Sequence, residues 1–375
     1  MGGAALRVTM ISKACIVGAY QTKLEQIAAY EDIDLTVVVP PRWRHGSHTL
    51  HLERAHTQGY QLVVTPMLFN GSFHLHFYPR LRGILRESNP HICHIDEEPY
   101  NLATYLALRA ARRQGARTLF FTWQNLQRRY PLPFRAMEGF VHGHADAAIA
   151  GSQGAASVLR DKGYRGPLRV IPQFGVDPDA FSPAPADAPE RAFTIGYAGR
   201  LVEEKGLYTL VNALADLRGT WRLVLVGRGP LRHPLEERFS ELGLQDHVIF
   251  HDHVPSEEMP HHFRAMDTLV LPSLTRPNWK EQFGRVIVEA MACGVPVIGS
   301  DSGEIPHVVG DGGLIFPEGH ARALREHLRT LRGNTARRRE LGRRGRARVL
   351  DHYTQSRIAA ETVALYRDLY ERSLT

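Results

Sequence analysis

The chain has 375 residues, 43% of them apolar and 23% charged, which exceeds one ordinary core and sets two domains as the expectation. No run of 18 apolar residues occurs, which excludes a membrane-spanning helix, and the widely separated Cys15, Cys93 and Cys293 fit no metal or disulfide framework, as in a reducing cytoplasm. The formal charge of +7 is concentrated in residues 321–350, where eleven Arg stand against two Glu. That run either attracts an anionic partner or forms a solvated helical face. It carries no interleaved aromatic residue, which argues against nucleic acid.

In chain order, the opening MGGAALRVTMISKACIVGAY reads as a first strand rather than a leader, because Lys13 interrupts its apolar stretch. Its Met-Gly-Gly start has Leu6 where myristoylation wants Ser or Thr. DLTVVVP, QLVVTPM, HICHI, TLFFTW, AAIAG and RVIPQF follow as strands, with helical segments such as QTKLEQIAAY and LATYLALRAARRQG between them. SPAPADAPER, residues 182–191, has no period and reads as a linker. FTIGYAG, WRLVLVG, HVIFHD, TLVLPS, PVIGS and GLIF then repeat the pattern, with helices such as LYTLVNALADL. A turn at 351–357 precedes a last helix, RIAAETVALYRDLYERSLT. Apolar runs alternating with helices predict an α/β chain of two doubly wound, parallel-sheet domains, over 1–181 and 192–356. Ligands of such sheets bind beyond the carboxyl ends of the strands, so two facing domains would enclose a cleft.

Three segments carry candidate chemistry. In GYAGRLVEEKG, residues 196–206, a strand ends in glycines and is followed by Arg200 and Lys205, a pair suited to a diphosphate. Neither the P-loop spacing nor a dinucleotide fingerprint is present. In EQFGRVIVEAMACGVP, Glu281 and Glu289 stand eight residues apart around a helix start, roughly 12 Å if fully helical. Glu281 would meet a sugar, the N–H groups near Phe283, Gly284 and Arg285 a phosphate, and Glu289 ribose hydroxyls. The plain alternative is two exposed helix glutamates; the apolar neighbours of Glu289 weigh against it. SDSGEIPHVVGDGG, residues 300–313, adds Glu304 as a ligand contact or an ordinary loop carboxylate. His251 and His253 in HDH, and HLH at 74–76, lack further ligands for a metal, and no GxSxG elbow occurs.

GRLVEEKG, EQFGRVIVEAMACGVPVIGSDSGEIPHVV and IPQFGVDPDAF together resemble the retaining GT-B glycosyltransferases of family 4, over about 170–320 and more weakly before. The resemblance implies a hexosyltransferase taking a UDP- or GDP-sugar donor to a sugar, sugar-phosphate or lipid-linked acceptor. No cofactor or metal is expected, since no DxD motif occurs in a suitable loop. Arg200 and Lys205 would neutralise the donor diphosphate, Glu281 would face the donor sugar and Glu289 the ribose. The last helix, 357–375, would cross back onto the first domain. Two departures fall in the first half. The glycine pair after the first strand is reduced to Gly18, and WQN at 123–125 puts Gln124 and Asn125 where relatives often carry a histidine. Asp96, Glu97 or Glu98 in HIDEEPYN matches the acidic loop facing the acceptor. These departures also motivate the alternative of a catalytically degenerate nucleotide-sugar-binding partner. Arg42, Arg44, His45, Arg128 and Arg129 are candidates for holding an acceptor phosphate. Arg109, Arg112, Arg113 and Arg117 beside apolar LATYLAL suggest peripheral membrane contact, although core packing explains the apolar side as well.

Overall fold

A computed structural model describes residues 5–46, 48–185, 191–252 and 254–374. It divides the chain into two units, Met1–Gly175 with Gln355–Thr375, and Val176–Thr354.

The first unit contains β1 (Leu6–Ile11), α1 (Gly18–Ala28), β2 (Ile33–Val39), β3 (Arg42–His45), β4 (His48–His51), β5 (Gln61–Val64), α2 (Leu81–Ser88), β6 (Ile92–Ile95), α3 (Leu102–Arg112), β7 (Arg117–Thr122), α4 (Phe134–His144), β8 (Ala147–Ala150), α5 (Gln153–Asp161) and β9 (Leu168–Val170). Its sheet runs β5-β2-β1-β6-β7-β8-β9, every pairing parallel. β6 and β8 are buried along their whole length, as strands covered on both faces must be. β3 and β4 form a separate antiparallel hairpin, which the sequence reading omitted. RWRH and HTLH are polar and mostly exposed, so they lack the apolar signal by which strands are read.

The second unit contains β10 (Phe193–Ala198), α6 (Leu207–Ala215), β11 (Trp221–Val226), α7 (Arg232–Glu241), β12 (Val248–His251), α8 (Met259–Arg264), β13 (Thr268–Leu271), α9 (Arg285–Ala292), β14 (Val297–Ser300), α10 (Ile305–Val309), β15 (Gly313–Phe316), α11 (Ala321–Gly333) and α12 (Thr335–His352). The sheet order is β12-β11-β10-β13-β14-β15, again all parallel. α13 (Gln355–Leu374) belongs to the first unit. It packs there through Tyr366, whose hydroxyl lies 2.7 Å from His94 Nδ1, and through Arg367, which binds Asp32 with two nitrogens at 2.8 and 2.7 Å.

The boundary falls earlier than the Pro/Ala-rich segment suggests. Val176 already donates its N–H to Tyr353 O at 2.9 Å, and Phe181 lies 6.3 Å from Phe263, ring to ring. VDPDAF is therefore tied into the second core before the apolar period ends. Residues 186–190 of the expected linker, the Met-Gly-Gly start and Thr375 lie outside the described residues.

The arginine run on α11 and α12 is largely structural. Arg325 donates to Ala213 O near the end of α6, Arg346 to Ala292 O at the end of α9, and Arg348 to His307 O and Val308 O on α10. Helix ends leave carbonyls without intrahelical partners, and cations there also oppose the helix dipole. On α3 the apolar side is core, with Ala103, Ala107, Leu108 and Ala111 buried. Its arginines are used locally: Arg109 donates to Tyr105 Oη at 2.9 Å and Arg112 to His144 O at 2.7 Å. Arg117, at the start of β7, pairs with Asp146 at 2.8 Å.

Candidate functional site

Each sheet reverses its direction of strand addition once, between β10 and β13 in the second unit and between β1 and β6 in the first. The crevice outside the strand ends at such a reversal is where open α/β sheets hold ligands. Both units concentrate charged side chains there.

In the second unit, β10 is followed directly by Gly199 (φ +149°). A Cβ on Gly227, beyond β11, would lie 1.9 Å from Gly199 O, so these strand ends meet only through glycine. A short 3-10 turn, Glu203–Lys205, stops at Gly206 (φ +66°), where a Cβ would lie 1.9 Å from Pro272 O. That close approach sets Lys205 beside the end of β13. Its Nζ donates to Glu281 Oε2 at 2.6 Å and lies 5.0 Å from the centre of the Trp279 ring. Ser273 Oγ donates to the same carboxylate oxygen at 2.9 Å, and Glu281 O accepts from Glu304 N at 3.2 Å. Glu281 is thus buried and held from three segments.

The helix begins after Glu281, as the sequence reading placed it. Gly284 adopts φ +77° and α9 begins only at Arg285, so Glu281 lies in the irregular segment ahead of the cap. Glu281 thus stands ahead of the helix and Glu289 within it, so the span reckoned for a fully helical segment does not apply. Glu289 is on α9 and buried, paired with Arg285 at 2.8 Å. Burial pushes its carboxyl above the usual range, and the Arg285 guanidinium offsets part of that. A cavity of about 310 Å³ is lined by Arg200, Arg285, Val286 and Glu289 together with Val254 and Met259. Arg200 is largely exposed, 3.5 Å from Glu204. Phe283 packs against Tyr353, and Glu304 is buried ahead of α10, 3.9 Å from His307 Nδ1.

In the first unit, Ser12 and Lys13 follow β1, and Asp96 and Glu97 follow β6. Ser12 Oγ and Gln173 Nε2 donate to Asp96 Oδ2 at 2.7 and 3.0 Å, while buried Asp96 Oδ1 has no hydrogen-bond partner among the described residues. Lys13 Nζ binds Glu97 Oε2, and His76 Nε2 lies 3.5 Å from the same oxygen. Burial raises the Glu97 carboxyl, but Lys13 and His76 outweigh it and hold it at about 2. Glu98 accepts from Thr122 Oγ1 at 2.7 Å and from Trp123 N at 2.8 Å. Burial dominates here and pushes it up to about 7, although these two hydrogen bonds and Lys13 lower it in part. Gln124 donates to Tyr130 Oη at 3.0 Å and accepts from Lys162 Nζ at 2.9 Å; Asn125 follows it, half-buried.

Gly18 opens α1, and its N–H donates to the Glu53 carboxylate at 2.5 Å. A Cβ at Gly18 would lie 2.8 Å from Ala55 Cβ and 2.9 Å from Glu53 Oε2. The helix end expected near a donor phosphate is therefore engaged by an internal carboxylate. Sequence reading missed Ser273 and Glu53, gave Lys13 no site role and weighed His76 only as a metal ligand. A signal for Lys13 existed: it follows the end of β1 by two residues, as Arg200 follows β10. His251 lies 4.9 Å from His262, ring to ring, and His253 is outside the described residues. Among the described residues no group of three His, Cys, Asp or Glu is arranged to hold a metal ion.

Two Rossmann-type units, each with charged side chains at its switch point, define the class as a GT-B fold. The sucrose-phosphate synthase of Thermosynechococcus elongatus superposes with a TM-score of 0.73 at 22% identity, covering 97% of this chain and 99% of that one. HepE of Anabaena, solved in complex with UDP, gives 0.73 at 19% identity, covering 96% and 100%. At these identities the likeness is one of fold. The sequence profile described as Glycosyltransferase Family 4 matches residues 24–180, and the one described as Glycosyl transferases group 1 matches 180–348. The chain belongs to the family 4 type of glycosyltransferases. A GDP-mannose-dependent alpha-(1-6)-phosphatidylinositol monomannoside mannosyltransferase of Mycolicibacterium smegmatis is 35% identical over 195 residues, 48% of this chain and 51% of the relative. A D-inositol 3-phosphate glycosyltransferase of Stackebrandtia nassauensis is 32% identical over 270 residues, 64% of this chain and 59% of the relative. The matches thus span little more than half the length of these curated relatives.

Proposed function

We propose that this chain is a retaining hexosyltransferase that moves a sugar from a nucleoside-diphosphate donor to an acceptor hydroxyl. The observation that carries the reading is the cluster at the β10/β13 switch point, where Lys205 and Ser273 hold the Glu281 carboxylate. The cavity with Arg200, Arg285 and Glu289 lies at the same sheet edge. Its volume is of the order of small-ligand sites, and Val254, Met259 and Val286 supply an apolar wall for a nucleobase. Glu289 accepts bonds from ribose hydroxyls and Glu281 from sugar hydroxyls. Lys205 and Arg200 oppose the negative charge that builds on the departing diphosphate, the role filled elsewhere by a divalent cation.

On the acceptor side Gln124 positions a hydroxyl but cannot take its proton. The reading gives that proton to the departing phosphate oxygen, with the acceptor attacking the face that the phosphate leaves. This same-face displacement retains the anomeric configuration. Sugars, sugar phosphates and lipid-linked sugars remain the acceptor classes, and the relatives' names favour GDP-mannose among the donors to be tried. Thermal-shift screening against UDP, GDP, ADP and their sugars identifies the donor, since a ligand binding only the folded state stabilises it by mass action. NMR of the product anomer then tests retention; an inverted linkage refutes it. The engagement of Gly18 N–H by Glu53 favours the second reading, a non-catalytic nucleotide-sugar binder. Release of free sugar from the bound donor by pure protein separates the two.

A further inference from the structure

Several of the large apolar side chains left exposed in the first unit gather on one surface. Leu68, Phe69, Phe73 and Leu75 follow β5, and Leu50 stands on β4. Phe69 is 62% exposed and adopts φ +52°, a conformation costly for a bulky residue. It is held that way by Asn70, whose Oδ1 accepts from Arg44 N at 2.8 Å and whose Nδ2 donates to Arg42 O at 2.6 Å. The loop is thereby fastened to the β3–β4 hairpin. Below it, Lys13 lies 5.0 Å from the Phe73 ring centre and 5.6 Å from that of Trp43. Loop, hairpin and strand ends therefore form one continuous surface.

The segment that builds this surface carries predominantly positive charge. Residues 41–82 contain five Arg and six His, no Lys or Asp, and a single Glu. That Glu is Glu53, whose carboxylate is engaged by Gly18 N–H. Exposed Arg42 and Arg44 sit on the hairpin beside the apolar side chains. We infer that this surface is an interfacial docking face for a bilayer containing anionic phospholipid. The apolar side chains enter the acyl boundary while the arginines meet lipid phosphates. The contact is peripheral, as no helix among the described residues is long and apolar enough to cross a membrane. It is also separate from α3, whose apolar side is core.

The test is co-sedimentation of the full chain with phosphatidylglycerol/phosphatidylcholine vesicles and with phosphatidylcholine vesicles, at low and high salt. No donor is present, so failure of the transferase reading leaves the result unaffected. The expected result is binding to the anionic vesicles at low salt, weakened by salt and by omission of phosphatidylglycerol. Phe69→Ser with Phe73→Ser, and separately Arg42→Gln with Arg44→Gln, are each expected to lower partitioning at least tenfold, while Arg109→Gln with Arg113→Gln leaves it unchanged. Thermal unfolding checks the fold of each variant, and the arginine pair tests the face independently should the phenylalanine pair not fold. Absence of binding at low salt, equal binding to neutral vesicles, or unchanged partitioning of both pairs overturns the inference. So does a wild-type dimer that Phe69→Ser with Phe73→Ser converts to monomer, for the face would then pair two copies of this chain.

Discussion

Replacing Glu281 separates what the carboxylate does for the fold from what it does for catalysis. Its side chain is 9% exposed and that of Lys205 14%, with 2.6 Å between the charged atoms. Glu281→Ala leaves the ammonium without this partner and Ser273 Oγ without its acceptor. Breaking a fully buried pair costs about 3–5 kcal/mol. The residual exposure and the Trp279 ring beside Lys205 reduce this to about 2–3 kcal/mol. In a unit of this size that corresponds to a fall of about 5–10 °C in its unfolding midpoint. Glu281→Gln keeps an acceptor for both donors and loses only the charge, so it is expected to cost about 1 kcal/mol. Both variants should lower turnover by about 10²–10³-fold, because the proposed contact to the donor sugar and the placement of Lys205 would be lost. Differential scanning calorimetry and nucleotide-diphosphate release, measured with the donor found by thermal shift, give the two numbers. Near-normal turnover of Glu281→Gln would refute the catalytic placement. A midpoint unchanged in Glu281→Ala would refute the buried-pair argument.

Gly206→Ala is expected to destabilise the second unit by more than about 3 kcal/mol, since its Cβ would lie 1.9 Å from Pro272 O at a left-handed φ; urea titration measures it. Glu98 sits at about 7 in the folded protein, above its unfolded value, so the fold binds more protons than the unfolded chain from about pH 4.5 to 7 and loses stability as pH rises. Glu98→Gln should remove that loss, so that its stability relative to wild type improves by up to about 3 kcal/mol across the interval; a pH-independent difference refutes the assignment. Glu97, held at about 2, acts in the opposite sense: it stabilises above about pH 4.5 and that contribution is lost as pH falls towards 2. Arg346→Leu removes bonds to Phe181 O, Ala292 O and Pro178 O and should cost about 2–3 kcal/mol, whereas exposed Arg339→Leu should change little, both read by chemical denaturation.

The strands of both sheets were legible because burial on both faces forces continuous apolar runs such as TLFFT and LVLV, and alternation with helices forces a parallel order. The β3–β4 hairpin was not, because it is exposed and its side chains carry no such constraint. Arg200, Lys205, Glu281 and Glu289 could be picked out as charged residues set among glycines and apolar runs. Their partners could not: Ser273 meets Glu281, and Lys13 meets Glu97, only because strands distant in sequence end at one edge. By itself, then, the sequence determined the two-sheet architecture and the residue types available at its edges, since apolar runs and helical periodicity are local properties. Tertiary structure alone decided where α9 starts, which carboxylate keeps its charge and which apolar side chains face water. Each of those depends on what lies opposite: the glycine contacts around Gly284, the Lys13 ion pair on Glu97 but the neutral donors Thr122 and Trp123 on Glu98, and core behind α3 but solvent around Phe69.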